Sequence, residues 1–170
     1  MTSKNELHVV FGTGPIGMAV TEELVARGKG VRTASRSGRV KAPEGVEVVG
    51  GDASNTKFTE ATCEGASVVY FILNPPYHKW PELFAPLQEA VIAGAASVGA
   101  KLGILENMYP YGPTRGKSLT EDTPFDPVEP KGVVRAKMSH DAIAAHKAGR
   151  VRRAPSLGYP SSPPKLLQPR

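Results

Sequence analysis

The chain has 170 residues, of which 40% are hydrophobic and 22% charged, as is typical of one soluble globular domain. No apolar run reaches the roughly 18 residues that a membrane-spanning helix needs, so we expect no membrane partner. A single cysteine, Cys63, excludes an internal disulfide framework, and the N-terminus lacks a signal-peptide pattern; both features predict a cytoplasmic protein.

The net charge of +5 is concentrated at the C-terminus. Four of the 21 basic side chains lie in residues 151–170, which contain no acidic residue, so the rest of the chain has 17 basic and 16 acidic residues. Since the body of the chain is nearly neutral, we expect no nucleic-acid partner.

Segments of strand type alternate with helical segments, which predicts an α/β fold with a doubly wound parallel sheet and helices on both faces. The predicted strands are residues 7–11, 31–35, 46–50, 67–73 and 101–106, with a short sixth strand beginning near residue 150. The predicted helices are residues 15–28, 55–64, 82–100 and 133–148, and a loop rich in proline and glycine covers 107–131. We expect residues 1–153 to form one domain. Residues 154–170 contain five prolines and no acidic residue, and we expect an irregular or disordered tail there.

The motif "GTGPIG" at residues 12–17 follows the first predicted strand and opens the first predicted helix. In that setting a GxGxxG motif predicts a Rossmann-like dinucleotide site. Gly12 permits the tight turn, Gly14 lets the backbone approach a pyrophosphate, and Gly17 lets the helix pack on the strand. The helix N-terminus would offer unpaired N–H groups and its positive dipole end to the phosphates.

The end of the second predicted strand indicates which dinucleotide is bound. An NAD site usually has Asp or Glu there, whereas this chain has "TASRSGR" at residues 33–39. Ser35 and Arg36 can donate hydrogen bonds to a 2′-phosphate, which favours NADP and leaves NAD as an alternative. Asp52 follows the third predicted strand, where it would either accept from the adenine amino group or serve as an ordinary turn residue.

With these motifs, and with "YPYGP" after the fifth strand, residues 6–153 resemble the NAD(P)-dependent epimerase/dehydratase group of extended or atypical short-chain dehydrogenases. The resemblance implies an oxidoreductase or epimerase acting on a small carbonyl or sugar-like substrate, and a homodimer in which the helices at 82–100 and 133–148 can pair. The cofactor contacts it implies are Gly12, Thr13, Gly14, Pro15, Ile16, Gly17, Ser35, Arg36, Asp52, Ala53, Leu73, Asn74 and Pro75.

The sequence departs from the group in its catalytic pattern. Redox members carry Ser or Thr after the fifth strand and Tyr-x-x-x-Lys on the next helix, where the Tyr hydroxyl transfers a proton. Counting along the chain places Asn107 at the Ser position, Val133 at the Tyr position and Lys137 at the Lys position. Tyr109 and Tyr111 follow the fifth strand and are candidate substitutes, although packing is an alternative role for both. No spacing of metal-ligand residues predicts a metal site.

Members of the group continue beyond the sixth strand with a substrate-binding region that is largely missing here. We therefore expect a truncation or a shifted reading frame near residue 152. Two classes of function follow: an NADP-dependent oxidoreductase or epimerase, or a cofactor-binding regulator or inactive remnant without turnover.

Overall fold

A parallel sheet of six strands forms the centre of the computed structural model, which describes residues 6–116, 118–120 and 123–153. The strands are β1 (Leu7–Phe11), β2 (Gly30–Ser35), β3 (Glu47–Gly50), β4 (Ala66–Phe71), β5 (Lys101–Ile104) and β6 (Arg152–Arg153). Their order is β3-β2-β1-β4-β5-β6, and every neighbouring pair is parallel. The predicted doubly wound sheet is confirmed, and the tail predicted at 154–170 lies outside the described residues.

Four α-helices connect the described strands: α1 (Pro15–Ala26), α2 (Thr56–Cys63), α3 (Trp80–Ser97) and α4 (Pro130–Lys147). Helix α4 begins three residues before the predicted start, because the fixed φ and missing N–H of Pro130 suit a first helical turn. The loop before it contains a short 3-10 turn, Tyr109–Tyr111. Within the described part of the chain, no helix combines the length and the apolarity that crossing a bilayer requires.

The two faces of the sheet have separate apolar cores. Val10 belongs to a cluster with Leu24 of α1, whereas Val9 belongs to a cluster with Phe84 of α3 and Met138 of α4. Successive strand residues point to opposite faces, so the apolar run of β1 serves both cores. The strand order reverses beside β1, and the connections from there diverge. In such sheets this reversal opens a ligand-binding crevice at the carboxyl ends of the strands.

Helix α1 is placed by a backbone contact in which only glycine fits. A Cβ atom on Gly17 would lie 1.9 Å from the carbonyl oxygen of Gly12. Gly12 itself has a φ of +115°, and a Cβ atom there would lie 2.8 Å from the carbonyl oxygen of Ile72. Gly14, by contrast, has open space within 4 Å of its Cβ position.

We predict that Gly17→Ala lowers the free energy of unfolding by about 3 kcal/mol, because the backbone must shift to admit the methyl group. The matched variant Gly14→Ala should cost no more than about 1 kcal/mol, the difference in helix-capping preference. Urea denaturation of both variants measures this, and equal losses would contradict the packing described here.

His8 is a buried titratable group near the amino end of the central strand β1. Its ring stacks on Tyr70, and its Nδ1 atom is 3.1 Å from the Tyr70 hydroxyl. Nε2 is buried without a hydrogen-bond partner among the described residues, and the nearest carboxylate oxygen, on Glu6, is 3.9 Å away. Burial is the main cause that lowers the pKa of His8 below its ordinary value of 6.5.

A lowered pKa means that the folded state favours neutral His8, while the unfolded chain takes up a proton at the ordinary pKa. The stability that His8 contributes is therefore present above pH 6.5 and is lost as the pH falls through the folded-state pKa. We predict a lower unfolding free energy at pH 5.5 than at pH 7.5, with a smaller difference in His8→Phe. An unchanged pH dependence in that variant would assign the effect to other groups.

Candidate functional site

Two adjoining clefts run along the carboxyl edge of the sheet. The first, of about 630 Å³, lies over the ends of β1, β2 and β3. The second, of about 510 Å³, lies between the first turn of α1, the ends of β4 and β5, and α4. Leu73 and Asn74, which follow β4, line both clefts and join them into one groove.

The groove brings together every residue that the sequence predicted as a cofactor contact. The first cleft is lined by Gly12, Thr13, Ser35, Arg36, Asp52, Ala53, Leu73, Asn74 and Pro75. The second is lined by Gly14, Pro15, Ile16 and Gly17, and again by Leu73 and Asn74. The glycine loop therefore lies at the middle of the groove, as the pyrophosphate of a dinucleotide would require.

The N-terminus of α1 faces this groove without a side-chain cap. Gly14 is the N-cap residue, and no side chain accepts a hydrogen bond from the first turn. Pro15 at the first helical position has no N–H, so the backbone donors next in line are those of Ile16 and Gly17. Together with the helix dipole, these donors form an anion-binding end.

The turn after β2 is held in place by two serine side chains. Ser35 Oγ accepts from the Gly38 N–H at 3.1 Å, and Ser37 Oγ accepts from the Arg39 N–H at 3.2 Å. Gly38 packs directly on Gly50 at the end of β3, where a Cβ atom on Gly50 would lie 2.8 Å from Gly38 Cα. This turn presents the exposed Arg36 side chain at the first cleft.

Asp52 presents a carboxylate at the same cleft. It accepts hydrogen bonds from the backbone N–H of Ser54 at 2.9 Å and from the Ser54 hydroxyl at 2.7 Å. These bonds, with a smaller contribution from Arg36, lower the pKa of Asp52. The side chain is therefore ionised at neutral pH and able to accept further hydrogen bonds.

Apolar residues that the sequence reasoning missed form the wall of the first cleft. They are Phe58 of α2 and Leu83, Pro86 and Leu87 of α3. Phe58 fills the space beside Gly51, where a Cβ atom would lie 2.3 Å from its ring. Phe58 and the three α3 residues come from separate helices, and no local motif marks them. Their surface suits a flat aromatic base.

The predicted catalytic residues separate into two groups. Asn107 and Tyr109 line the second cleft. Tyr111 instead packs on Phe125, with ring centroids 5.2 Å apart, and is not part of either cleft lining. Lys137 is exposed and pairs with Asp141 on the outer side of α4, and Val133 is 54% exposed.

The residue of α4 that lines the second cleft is Arg135. It is buried, and its Nη2 atom donates to the Leu105 carbonyl and to Glu106 Oε2, both at 2.8 Å. Ser139 donates to the other oxygen of Glu106 at 3.1 Å. Burial lowers the pKa of Arg135, and Glu106 opposes this shift, so the guanidinium stays charged. This ion pair joins the end of β5 to α4.

An aromatic cluster forms the mouth of the second cleft. The hydroxyl oxygens of Tyr77 and Tyr109 are 3.2 Å apart, and both rings contact the ring of Trp80. The Nζ atom of Lys131 lies 3.8 Å from the centroid of the Tyr77 ring. Lys131 and Arg135 are four residues apart and share one side of α4, and the same holds for Val133 and Lys137. The second pair lies two residues further along the helix, which places it about 200° around the helix axis from the first pair.

The described residues contain no group of three or more His, Cys, Asp or Glu side chains that could hold a metal ion. Cys63 is buried, which raises the pKa of its thiol to about 12 and keeps it protonated. Neither metal-ligand nor thiolate chemistry is indicated in this part of the chain.

Solved structures similar to this one share its fold. UDP-glucose 4-epimerase from Brucella ovis in complex with NAD is 16% identical, with a TM-score of 0.80, over 91% of this chain and 51% of its own. UDP-glucose 4-epimerase from Thermus thermophilus in complex with NAD is 22% identical, with a TM-score of 0.75, over 90% and 54%. A short-chain dehydrogenase/reductase superfamily protein from Agrobacterium tumefaciens with bound NAD is 20% identical, with a TM-score of 0.69, over 87% and 47%.

This chain thus spans about half the length of these proteins. The search of curated proteins found no match. A family model described as NAD(P)H-binding matches residues 12–153, which include both clefts and the whole described sheet beyond β1. The chain therefore belongs to the NAD(P)H-binding family.

Proposed function

We propose that this protein holds NADP(H) along the groove and transfers a hydride between it and a small carbonyl substrate. The observation that carries the proposal is the continuity of the two clefts across the glycine loop. The adenosine half would occupy the first cleft and the nicotinamide half the second. The similar structures solved in complex with NAD support a dinucleotide as the ligand.

Residues of this chain fit each part of the dinucleotide. The uncapped first turn of α1 would donate to the pyrophosphate. The ionised Asp52 would accept from the adenine amino group, while Phe58 and Leu87 would pack on the base. Leu73 and Asn74 would contact the cofactor where the clefts join.

The preference for NADP rests on the turn after β2. Ser35 accepts from Gly38 through its oxygen, so its O–H can still donate to a phosphate. Arg36 is exposed beside it and adds a positive charge. A carboxylate that would repel a 2′-phosphate is absent from residues 33–39.

We predict that NADPH binds more tightly than NADH, and that Arg36→Ala removes about 1.5–3 kcal/mol of this preference by losing a charged hydrogen bond. Isothermal titration calorimetry with both cofactors measures it. Arg27→Ala is the control, because Arg27 is exposed and pairs with Glu23 at the far end of α1. Equal affinity of the unmodified protein for both cofactors would overturn the NADP assignment.

The second cleft would hold the carbonyl substrate beside the nicotinamide. When bound, the reduced cofactor supplies the hydride. Asn107 and Tyr109 line this cleft and offer an amide N–H and a hydroxyl to a carbonyl oxygen. These groups would hold the carbonyl oxygen so that one face of the carbonyl carbon is turned toward the hydride.

A cofactor-binding regulator without turnover is the second candidate function. It is favoured by the exposure of Val133 and Lys137, since no tyrosine–lysine pair of α4 reaches the described clefts.

Turnover separates the two candidates. We predict that the full chain oxidises NADPH, followed at 340 nm, with at least one member of a panel of small aldehydes and ketones, and that the rate saturates with the carbonyl. Tight NADPH binding with no oxidation across the panel would favour the regulator instead.

A further inference from the structure

We infer that Tyr109 is the proton donor of the second cleft and that Tyr77 and Lys131 are positioning residues that act through it. The loops that carry Tyr77 and Tyr109, together with Lys131, would then provide the proton donor that the outer side of α4 does not provide. The inference rests on the proposed function, because it assigns the proton that accompanies hydride transfer.

The geometry of the two phenols carries the inference. Their hydroxyl oxygens are 3.2 Å apart, and the side chains are 51% and 44% exposed for Tyr77 and Tyr109. Both residues line the second cleft. The Trp80 ring lies 4.9 Å from the Tyr77 ring and 5.5 Å from the Tyr109 ring, and its buried N–H donates to the Pro75 carbonyl. The buried Trp80 ring therefore fixes the positions of both tyrosine rings, and both tyrosines remain partly exposed at the cleft.

The Tyr109 backbone is tied to the other polar group of the cleft. Its N–H donates to Asn107 Oδ1 at 3.2 Å. The proton donor and the amide that would contact the same carbonyl oxygen therefore move together. Tyr111, two residues later, packs on Phe125 and does not share this arrangement.

Lys131 supplies the positive charge at the phenol pair. Its Nζ atom lies 3.8 Å from the Tyr77 ring centroid, and it has no carboxylate within 4 Å among the described residues. The neighbouring charges of the cleft, Arg135 and Glu106, neutralise each other. Lys131 is thus the cation that stabilises a phenolate formed here.

The protonation state at neutral pH suits a donor. The hydrogen bond with Tyr77 and the nearby second phenol raise the pKa of Tyr109, and the charge of Lys131 partly opposes this shift. Tyr109 therefore carries its proton before the reaction.

The proton of Tyr109 is transferred when the carbonyl is reduced. The carbonyl carbon gains the hydride that reduced nicotinamide supplies, its π bond to oxygen breaks, and the oxygen takes the proton of Tyr109. The carbonyl is reduced to an alcohol by two electrons, and the cofactor is oxidised. The Tyr109 phenolate accepts a hydrogen bond from Tyr77, and water restores the lost proton because both hydroxyl groups are exposed.

The first test needs neither cofactor nor substrate. Tyrosine labelled with ¹³C at Cζ is titrated by NMR in the full chain, with the Tyr77 and Tyr109 signals assigned by their Phe variants. Lys131→Met should raise the pKa of Tyr109 by about half a unit to one unit. Lys147→Met, at the exposed end of the same helix, should leave it unchanged. Identical titrations in both variants would overturn the role of Lys131.

The second test uses turnover and NADPH binding together. Tyr109→Phe should lower kcat by about 10²–10⁴-fold while NADPH affinity and the circular dichroism spectrum stay unchanged. Tyr77→Phe and Lys131→Met should lower kcat less and shift the alkaline limb of the pH profile. Full turnover in Tyr109→Phe would overturn the inference while leaving the proposed function intact. Absence of NADPH binding, or binding with no turnover in the unmodified protein, would instead overturn the proposed function.

Discussion

The carbonyl of Gly12 and the first turn of α1 approach each other so closely that the side chain at position 17 can only be a hydrogen atom. This contact fixes the helix at the carboxyl end of β1 and directs its uncapped N–H groups along the sheet edge. The two clefts meet at that point because Leu73 and Asn74 emerge from β4 directly opposite. A side chain at position 17 would move the helix, and with it the donors that face the groove.

The sequence was sufficient to predict the fold and the group of loop residues that line the groove, because both depend on local patterns. Apolar runs define the strands, and the turns at Gly12–Gly17 and Ser35–Gly38 each depend on a few residues that are close together in the sequence. The side of α4 that meets the cleft could not be obtained by counting. A helix turns about 100° per residue, so an alignment carried across the irregular loop before Pro130 selected Val133 and Lys137, whereas the structure turns Lys131 and Arg135 inward.

The charged residues in and beside the second cleft have two different roles, one structural and one in the proposed proton transfer. The Glu106–Arg135 ion pair is buried and hydrogen-bonded to Ser139, so it ties α4 to the end of β5. Buried ion pairs of this kind add little net stability but cost about 3–5 kcal/mol when one partner is removed. Because the charges of Glu106 and Arg135 cancel, Lys131 is left to act on the phenols at the cleft mouth. A helix that has no tyrosine in the cleft thereby still influences proton transfer there.

We propose that one dinucleotide spans both clefts, with its nicotinamide end beside Asn107 and Tyr109. The most direct measurement is a crystal structure of the full chain with NADPH. We expect the 2′-phosphate within hydrogen-bond distance of Arg36, the pyrophosphate at the first turn of α1, and the nicotinamide ring in the second cleft. A nicotinamide ring outside the second cleft, or an adenosine half bound there in its place, would contradict it.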